Sequence, residues 1–563
     1  MSKYNTKTVP VVKKTTSPEG GLAYTQTPER ELVGLLATGI QNSYYEKEGE
    51  RERRLKDLIG KIAKKDKTFA AKALVYARSV FGQRTVTHLG AVNLLPFLSG
   101  DELGKKFFSK RDRKVNKGGI VYRIDDMNEI LACYLAKNGK DAAIPNSLKK
   151  GFKDAIESAD KYQLAKYQMK GNSISLVDIV NLVHPKETPV QGYVILPEND
   201  YLKVSIKTKW EGREYEVLED GQVKIPTLRA LVLGILKQFN TTEDKNTEAG
   251  KEVAAAIKSG ELTQEQAADV LKEKKTDNFK DLIETKKIGY LALIRNLRNI
   301  VKTGDSGLID SACELVTNQD MIRKSLVWPH QIDIAMEIMK METSGWDLQK
   351  LTKALDKAYE LSIPNLNELL PPARTAVVFD TSGSMEGSWG SGVRLFNGKG
   401  FSKINSTPAE KAALIAATFA KGTAGRVFHF GRTAAEITGW NPNDAINTLK
   451  NEFMSHNGEC GHSTHPEEAF QLFLRNRDQF DRIIIISDEQ GHGNLEQWAK
   501  NYSNEFGQPY IYFINVCGYS NVAMKEGNKT MRLQGYSADI YTKIKDLEID
   551  VNAVIKAINE IEI

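Results

Sequence analysis

The sequence of 563 residues predicts two structural classes in one chain: a mainly helical part over residues 21–370 and a doubly wound α/β domain over residues 371–563. Before Leu361, apolar residues recur three or four positions apart in segment after segment, which is the period of amphipathic helices. After Pro371-Pro372, short apolar strands alternate with amphipathic helices, which is typical of a parallel sheet covered on both faces. A chain of this length also exceeds the roughly 250–300 residues of one core.

The helical part contains nine amphipathic segments, among them RELVGLLATGI, FAAKALVYARSVF and GYLALIRNLRNIV. Successive short helices predict an α-solenoid, in which pairs of helices stack around a continuous core. No clean repeat period is present, so a compact helical domain remains the alternative. Residues 191–225 alternate like a β-hairpin insertion, and we interpret the polar residues 241–278 as a solvated insertion. The polar residues 1–20 predict a flexible arm.

Composition excludes several classes of protein. Hydrophobic residues make up 41% and charged residues 27% of the chain, as in ordinary globular proteins. No apolar run approaches the roughly 20 residues of a membrane helix, and the polar N-terminus lacks the apolar core of a signal peptide. The four cysteines lie far apart, which argues against both a disulfide framework and a paired-cysteine zinc site. We therefore expect a cytoplasmic protein without membrane contact.

The charge is distributed unevenly along the chain. From Pro371 onward there are 19 basic and 22 acidic residues, whereas 59 basic and 50 acidic residues precede it. The helical part is therefore the basic one, which favours a polyanionic partner there.

A cation site is predicted where the first strand of the α/β domain ends. The stretch TAVVFDTSGSM places one carboxylate and two hydroxyls at alternate positions, Asp380, Ser382 and Ser384. Oxygen ligands of this kind suit a hard divalent cation. Asp488 ends another apolar strand, and Thr464 precedes a helix. Because ligands of open α/β sheets bind beyond the carboxyl ends of the strands, these three loops are expected to meet at one edge.

Other chemistries at this edge fit less well. A capped turn would also use Asp and Ser, but it does not account for Thr464 and Asp488. The loop is neither a G-x-S-x-G elbow nor a phosphate-binding loop. A zinc site at His456, Cys460, His462 and His465 matches no standard spacing. We interpret these four as loop residues flanking Thr464.

A basic segment, residues 104–123, predicts contact with RNA. It carries eight cations and one acid, with Phe107, Phe108 and Tyr122 between them. Dense cations neutralise phosphates and aromatic faces stack on unpaired bases; the alternative is a loop whose phenylalanines are core. The cations are Lys105, Lys106, Lys110, Arg111, Arg113, Lys114, Lys117 and Arg123. Weaker candidates are Arg84 and His88, and the pair Arg295 and Arg298 on one helix face.

The predicted cation site resembles the metal-ion-dependent adhesion site of von Willebrand factor A domains. The D-x-S-x-S segment matches fully, Gly461-His462-Ser463-Thr464 departs from the family's Gly-Gly-Thr, and Ser487-Asp488-Glu489 is similar to its Thr-Asp-Gly. The resemblance implies a Mg²⁺ ion held by Asp380, Ser382, Ser384, Thr464 and Asp488. It also implies a protein partner that completes the ion with an acidic side chain.

The helical part resembles the TROVE module of the Ro family, a ring of HEAT-like repeats followed by a von Willebrand A domain. The resemblance is carried by the segments SYYEKEG, YQLAKYQMKGNSISLVDIVNLVHPK, GYLALIRNLRNI and VWPHQIDIAMEI. It implies binding of small noncoding RNA, including Y-like RNA, and of the ends of misfolded RNA, with Lys166, Lys170 and His184 in an RNA-contact segment. A nuclease is one possible A-domain partner.

Three functional hypotheses follow. The preferred one is a non-enzymatic RNA-binding protein of Ro type, of bacterial or phage kind, that acts in RNA quality control or as an RNA-tethered scaffold. The second is a metal-dependent protein-interaction scaffold without an RNA role. The third, an enzyme acting on RNA, lacks an acid–base or nucleophile constellation beyond the metal loop.

Overall fold

The predicted fold class is confirmed in the computed structural model, in which helices fill the first part of the chain and an α/β sheet the last. The structure describes residues 12–40, 44–159, 174–185, 288–325, 329–342, 345–363, 372–386, 407–536, 539–549 and 552–563, five short strands between 201 and 404, and the single positions 283, 327 and 370.

Of the two predicted insertions, residues 241–278 lie outside the described residues. In the other, the structure shows an antiparallel three-stranded sheet, which agrees with the alternating pattern of this stretch. Its strands are β5 (Tyr201–Ser205), β6 (Glu216–Val217) and β7 (Gln222–Pro226).

Before the insertions, the described helices share one apolar core that contains Leu74, Phe107, Phe108 and Phe152. They are α1 (Pro28–Thr38), α2 (Glu48–Ser79), α3 (Thr85–Leu94), α4 (Glu102–Phe107), α5 (Asp126–Asn138), α6 (Asn146–Glu157) and α7 (Leu176–Val183). Between α4 and α5, the strands β3 (Arg111–Asp112) and β4 (Lys117–Gly118) form a small hairpin.

After the insertions, a second group of helices packs against one face of the sheet of the α/β domain. Leu293, Leu308 and Leu355 belong to the same core as Val377 and Phe379 of the sheet. The helices are α8 (Tyr290–Val301), α9 (Ser306–Val316), α10 (Gln319–Ser325), α11 (Pro329–Glu342) and α12 (Gly345–Ser362).

The α/β domain is built on six strands, which are all parallel except one edge strand. In their order across the sheet they are β12 (Ala434–Ile437), β11 (Arg426–Phe430), β8 (Thr375–Asp380), β13 (Arg482–Ser487), β14 (Tyr510–Asn515) and β16 (Thr530–Gln534), and β12 is the antiparallel edge strand. Alternate residues of each strand face opposite cores, so Ile483 and Ile485 lie in one core and Ile484 and Ile486 in the other. A separate hairpin comprises β9 (Val393–Phe396) and β10 (Phe401–Ile404).

Helices cover both faces of this sheet, as the alternating sequence predicts. One of them begins at Thr407, whose side chain accepts a hydrogen bond from the backbone N–H of Glu410 while the Glu410 carboxylate accepts one from the N–H of Thr407. This reciprocal cap satisfies two N–H groups that a helix start otherwise leaves unpaired. The helices are α13 (Gly383–Glu386), α14 (Pro408–Thr423), α15 (Ile446–Ser455), α16 (Glu467–Asn476), α17 (Leu495–Phe506), α18 (Asp539–Ile549) and α19 (Ala553–Asn559).

Both ends of the chain cross between the two parts. Strand β1 (Lys14–Thr16) pairs with β2 (Leu22–Thr25), which pairs with β15 (Asn521–Val522) of the α/β domain. The part of the predicted arm over residues 12–20 is therefore not a free arm: it is held by backbone pairing, and Ser17 Oγ donates to the carbonyl of Gly491 at 2.6 Å. At the other end, Ile558 and Ile561 lie in the core of the first helices.

Candidate metal site and nucleic-acid interface

The strand order brings the two predicted acidic ligands side by side. The chain leaves β8 towards β11 on one side and returns with β13 on the other, so β8 and β13 are neighbours where the order reverses. Asp380 is the last residue of β8, and Asp488 follows the last residue of β13. In open α/β sheets this reversal opens a crevice at the carboxyl ends of the strands, where ligands bind.

Hydrogen bonds hold the first loop in place. Asp380 Oδ1 accepts from the backbone N–H of Ser382 at 2.9 Å, and the hydroxyls of Ser382 and Ser384 lie 3.2 Å apart. The five predicted ligands, which we call the carboxylate site, are all buried, none being more than 6% exposed: Asp380, Ser382, Ser384, Thr464 and Asp488.

The loop that carries Thr464 lies against both of the others. The N–H of Gly383 donates to the carbonyl of His462 at 2.8 Å, and the N–H of His492 donates to the carbonyl of Thr464 at 2.9 Å. The three loops therefore meet at one edge of the sheet, as the sequence predicted.

The electrostatics of the carboxylate site are unfavourable without a cation. Burial raises the pKa of Asp380 to about 6, against the lowering effect of hydrogen bonds from Ser382 and Ser487. Burial and the charge of Asp380 raise the pKa of Asp488 well above its usual value. Asp488 Oδ2 is buried without a hydrogen-bond partner. Two buried carboxylates, one of them with an unpartnered oxygen, and three hydroxyls form a donor set that suits a hard divalent ion.

Two residues outside the predicted ligand set also support this site. Ser487 Oγ donates to Asp380 Oδ2 at 2.6 Å. Glu489 stands where the resemblance has glycine and adopts a left-handed backbone with φ 61°, a conformation that favours glycine. Its carboxylate is held by Arg532 at 2.6 Å and by the N–H of Ala523 at 3.1 Å. The D-x-S-x-S pattern carries no signal for Ser487 or for this ion pair.

The four residues of the zinc alternative do not come together as a set. His462 is 65% exposed, and His465 stacks on His492 with ring centroids 5.1 Å apart. His456 and Cys460 lie instead beside His429 of β11.

The basic segment serves two purposes that its sequence does not separate. Phe107 and Phe108 are fully buried, so the expectation that they stack on bases is wrong and the core alternative holds. Arg111 is 1% exposed, so it is not a surface contact; it donates to Asn116, to the carbonyl of Gly118 at 2.5 Å and to that of Glu562 at 3.3 Å. Burial lowers its pKa to about 10.

The remaining cations of the segment are accessible to differing degrees. Arg113 stacks on the ring of Tyr122 at 4.3 Å, Lys110 donates to the carbonyl of Ser158, and Arg123 pairs with Asp125 at 2.8 Å. The exposed members are Lys105, Lys106, Arg113, Lys114 and Lys117.

Of the other predicted RNA contacts, Lys166 and Lys170 lie outside the described residues. His184 is exposed and ends helix α7 in a left-handed conformation, while its carbonyl accepts from Lys153 Nζ at 2.8 Å. His88 is fully buried and contacts Asp126 and Glu129, so it is not a surface candidate.

Three arginines from separate segments of the helical part influence one another electrostatically. We call Arg84, Arg123 and Arg295 the arginine junction. Arg295 of α8 is accessible to solvent, and its pKa is lowered first by partial desolvation and then by the charges of Arg123 and Arg84. Arg84 and Arg123 pair with Asp125 at 2.8 Å. Arg295 makes no ion pair with any residue that the structure describes.

Comparison with known proteins bears on the fold. No protein-family model and no curated protein matches the sequence. Among solved structures, the Ro (RSR) protein of Deinococcus radiodurans matches with a TM-score of 0.54 and 15% identity, over 93% of this chain and 100% of that one. The fold is similar to that of a Ro protein. The resemblance that the sequence motifs indicated is thereby confirmed at the level of the fold, across nearly the whole chain.

Proposed function

We propose that this chain is a non-enzymatic RNA-binding protein of Ro type, which holds small structured RNA or the ends of misfolded RNA on its helical part. The observation that carries the proposal is the arginine junction. Partial desolvation and the charges of Arg123 and Arg84 lower the pKa of Arg295. Arg84 and Arg123 are paired with carboxylates, whereas Arg295 has no acidic partner among the described residues. A phosphate relieves the repulsion between these charges, and arginine binds it in a bidentate manner.

The exposed cations of the basic segment support the same proposal, since Lys105, Lys106 and Lys114 all face solvent on the basic part of the chain. In this proposal they bind phosphates without reading sequence. The similarity to a Ro fold over 93% of the chain supports the arrangement of a helical RNA-binding part and an α/β domain.

The α/β domain would contribute a second contact in this proposal. The carboxylate site would hold Mg²⁺ through Asp380, Ser382, Ser384, Thr464 and Asp488, and a protein partner would complete the ion with an acidic side chain. The burial and the raised pKa of Asp380 and Asp488 support a cation there. The second hypothesis is a metal-dependent scaffold without an RNA role. Under that hypothesis the carboxylate site would still bind its ion and partner, but the helical part would not bind RNA.

The RNA proposal is tested by the salt dependence of binding. The full-length protein is titrated against a fluorescent RNA hairpin with a single-stranded 3′ tail over a range of salt concentrations. We expect Arg295→Gln to weaken binding and to reduce the slope of log K against log salt by about 0.7–0.9, the value of one phosphate contact. A Lys105→Gln/Lys106→Gln/Lys114→Gln variant should reduce the slope further.

Lys500→Gln is the matched control, because Lys500 is an exposed lysine of the α/β domain. Unchanged affinity and slope in both test variants would favour the scaffold hypothesis. Incubation of the same labelled RNA with protein and Mg²⁺ tests whether the protein is non-enzymatic. Cleavage at defined sites would mean that it is an enzyme.

A further inference from the structure

A turn near the start of the chain lies beside the carboxylate site. Residues 17–21, which we call the N-terminal turn, connect strands β1 and β2. Ser17 Oγ donates to the carbonyl of Gly491 at 2.6 Å. The next residue of that loop, His492, donates its N–H to the carbonyl of the predicted ligand Thr464 at 2.9 Å. Backbone contacts therefore connect the N-terminal turn to the loop that carries one of the ligands.

The contact between the two loops is too close for a side chain at Gly21. The N–H of Gly21 donates to the carbonyl of Gly491 at 3.2 Å, and the N–H of Leu22 donates to the carbonyl of Gly493 at 3.2 Å. A Cβ atom on Gly21 would overlap the carbonyl oxygen of Gly491. Glycine allows this approach of one backbone to another. The position of the N-terminal turn is therefore specified by backbone packing as well as by strand pairing.

Glu19 is the acidic residue that this turn holds beside the site. The N–H of Gly20 donates to the carbonyl of Ser17 at 2.9 Å, and Pro18 has the fixed φ that the second position of a turn favours. Glu19 occupies the third position, and its carboxylate lies 2.8 Å from His492 Nε2. Its side chain is 24% exposed, so the carboxylate lies on the protein surface and remains within reach of solvent.

The charge of Glu19 reaches the carboxylate site. The pKa of Asp488 is raised by burial, by the charge of Asp380 and also by the charge of Glu19. Neighbouring carboxylates repel one another, and an opposite charge between them removes that repulsion. The fold therefore holds a third carboxylate where it is unfavourable in the metal-free protein and favourable beside a cation.

We propose that Glu19 completes the cation of the carboxylate site, so that the chain itself supplies the acidic ligand that an outside partner would otherwise donate. This inference rests on the proposed function, because it takes Mg²⁺ to bind at the five predicted ligands. Mg²⁺ prefers six oxygen ligands in an octahedral arrangement, and five side chains leave one position. Glu19 would fill that position by exchanging His492 for the cation.

The consequence concerns the protein partner. An acidic side chain from outside would compete with Glu19 for one position at the cation. Strand β2 pairs with β15 of the α/β domain, so the N-terminal turn is tethered beside the site, and a tethered ligand competes at a high effective concentration. A partner would therefore need further contacts with the α/β domain in addition to one carboxylate.

The test is cation binding by the full-length protein, with Mn²⁺ as the probe because it takes the same octahedral oxygen sites as Mg²⁺. Electron paramagnetic resonance measures free Mn²⁺, and the relaxation rate of water protons reports the water bound to the ion. We expect Glu19→Gln to weaken binding at least about tenfold, the loss that even an outer partner of a ligand can cause. It should also raise the relaxation rate per bound ion, because water takes the position that Glu19 leaves.

Gly21→Ala tests the same ligand without changing a charge, because its Cβ atom displaces the N-terminal turn. It should weaken Mn²⁺ binding as Glu19→Gln does. His492→Gln and Glu505→Gln are the controls: the first removes the side chain that now pairs with Glu19, and the second removes an exposed acid of helix α17. Both should bind Mn²⁺ at least as tightly as the wild-type protein.

Hydrogen exchange gives a readout that does not depend on affinity. At saturating Mg²⁺, amide exchange in strands β1 and β2 should slow in the wild-type protein, because Glu19 is then held at the cation. The same strands should not respond to saturating Mg²⁺ in Glu19→Gln. If Gly21→Ala does not fold, Glu19→Gln carries both measurements.

The outcomes separate this inference from the proposed function. Asp380→Asn should abolish Mn²⁺ binding, and binding that survives this change would overturn the carboxylate site together with the role of Glu19. If Asp380→Asn abolishes binding but Glu19→Gln matches the wild-type protein in affinity and relaxation rate, the carboxylate site stands and Glu19 is not its ligand. Wild-type protein that binds no Mn²⁺ would overturn both.

Discussion

Asp380 and Asp488 are two acidic side chains whose charged forms are unfavourable in the folded, metal-free protein. Both carboxyl groups are fully buried, and no basic side chain pairs with either of them among the described residues. Their raised pKa values mean that the folded, metal-free protein holds protons that the unfolded chain releases. Folding stability without metal therefore falls as the pH rises from about 4 through about 6, where Asp380 loses its proton, and it falls further as Asp488 loses its own.

A Mg²⁺ ion should reverse this loss. We expect Mg²⁺ to raise the melting temperature more at pH 7 than at pH 5, because protons compete for the same oxygens. Asp488→Asn should raise the stability of the metal-free protein at pH 7, because it removes a buried carboxyl group whose pKa is raised by burial and by the charge of Asp380, and it should remove the response to Mg²⁺. Thermal unfolding with Mg²⁺ or a chelator measures both effects.

Asp546→Asn is the control for this prediction, because Asp546 is an exposed acid on helix α18. It should leave the Mg²⁺ response unchanged. A Mg²⁺ response that survives Asp488→Asn would place the ion elsewhere.

At the scale of one element, the β3–β4 hairpin shows how a single run of cations divides between folding and binding. Arg111 faces inward and holds the hairpin and the C-terminal segment through the carbonyls of Gly118 and Glu562. Arg113, two residues later, is exposed and covers the ring of Tyr122. Arg113 lies just beyond the end of β3, in the turn of the hairpin, so the two arginines have different surroundings and different functions.

This division predicts that substituting the two arginines changes the free energy of unfolding by different amounts. Arg111→Gln should lower the free energy of unfolding by about 2–3 kcal/mol, because it leaves buried carbonyls without a charged donor. Arg113→Gln should change it by no more than about 0.5 kcal/mol, as exposed substitutions usually do. Urea unfolding monitored by circular dichroism measures both, and equal losses would mean that Arg111 is not the structural residue of the pair.

For the whole molecule, the chain ends join two parts that the sequence presents as separate domains. The N-terminal hairpin adds strands to β15, and α19 packs against α2. The second helical group shares a core with one face of the sheet. Both groups of helices are thus packed on elements of the α/β domain. None of the helices that the structure describes could cross a membrane.

Because Ile558 lies in the core of the first helices, a substitution at this C-terminal position is expected to destabilise those helices. Ile558→Ala should destabilise the protein by about 2–5 kcal/mol, because it leaves a cavity in the core of the first helices. Hydrogen exchange should then speed up in α2. Glu560→Gln, an exposed neighbour, should leave exchange in α2 unchanged. Faster exchange confined to the α/β domain would contradict the shared core.

The sequence determined the fold class and which residues form the carboxylate site, because periodicity reports local structure and a motif at a strand end reports its own loop. The 3.6-residue period predicted the helices, and D-x-S-x-S with Asp488 predicted the switch-point crevice. Only the tertiary structure decided which cations face solvent, since a charged residue looks the same in sequence whether its partner is water or a buried carbonyl, as Arg111 shows. It also decided the packing of the chain ends, because this depends on residues brought together from distant positions.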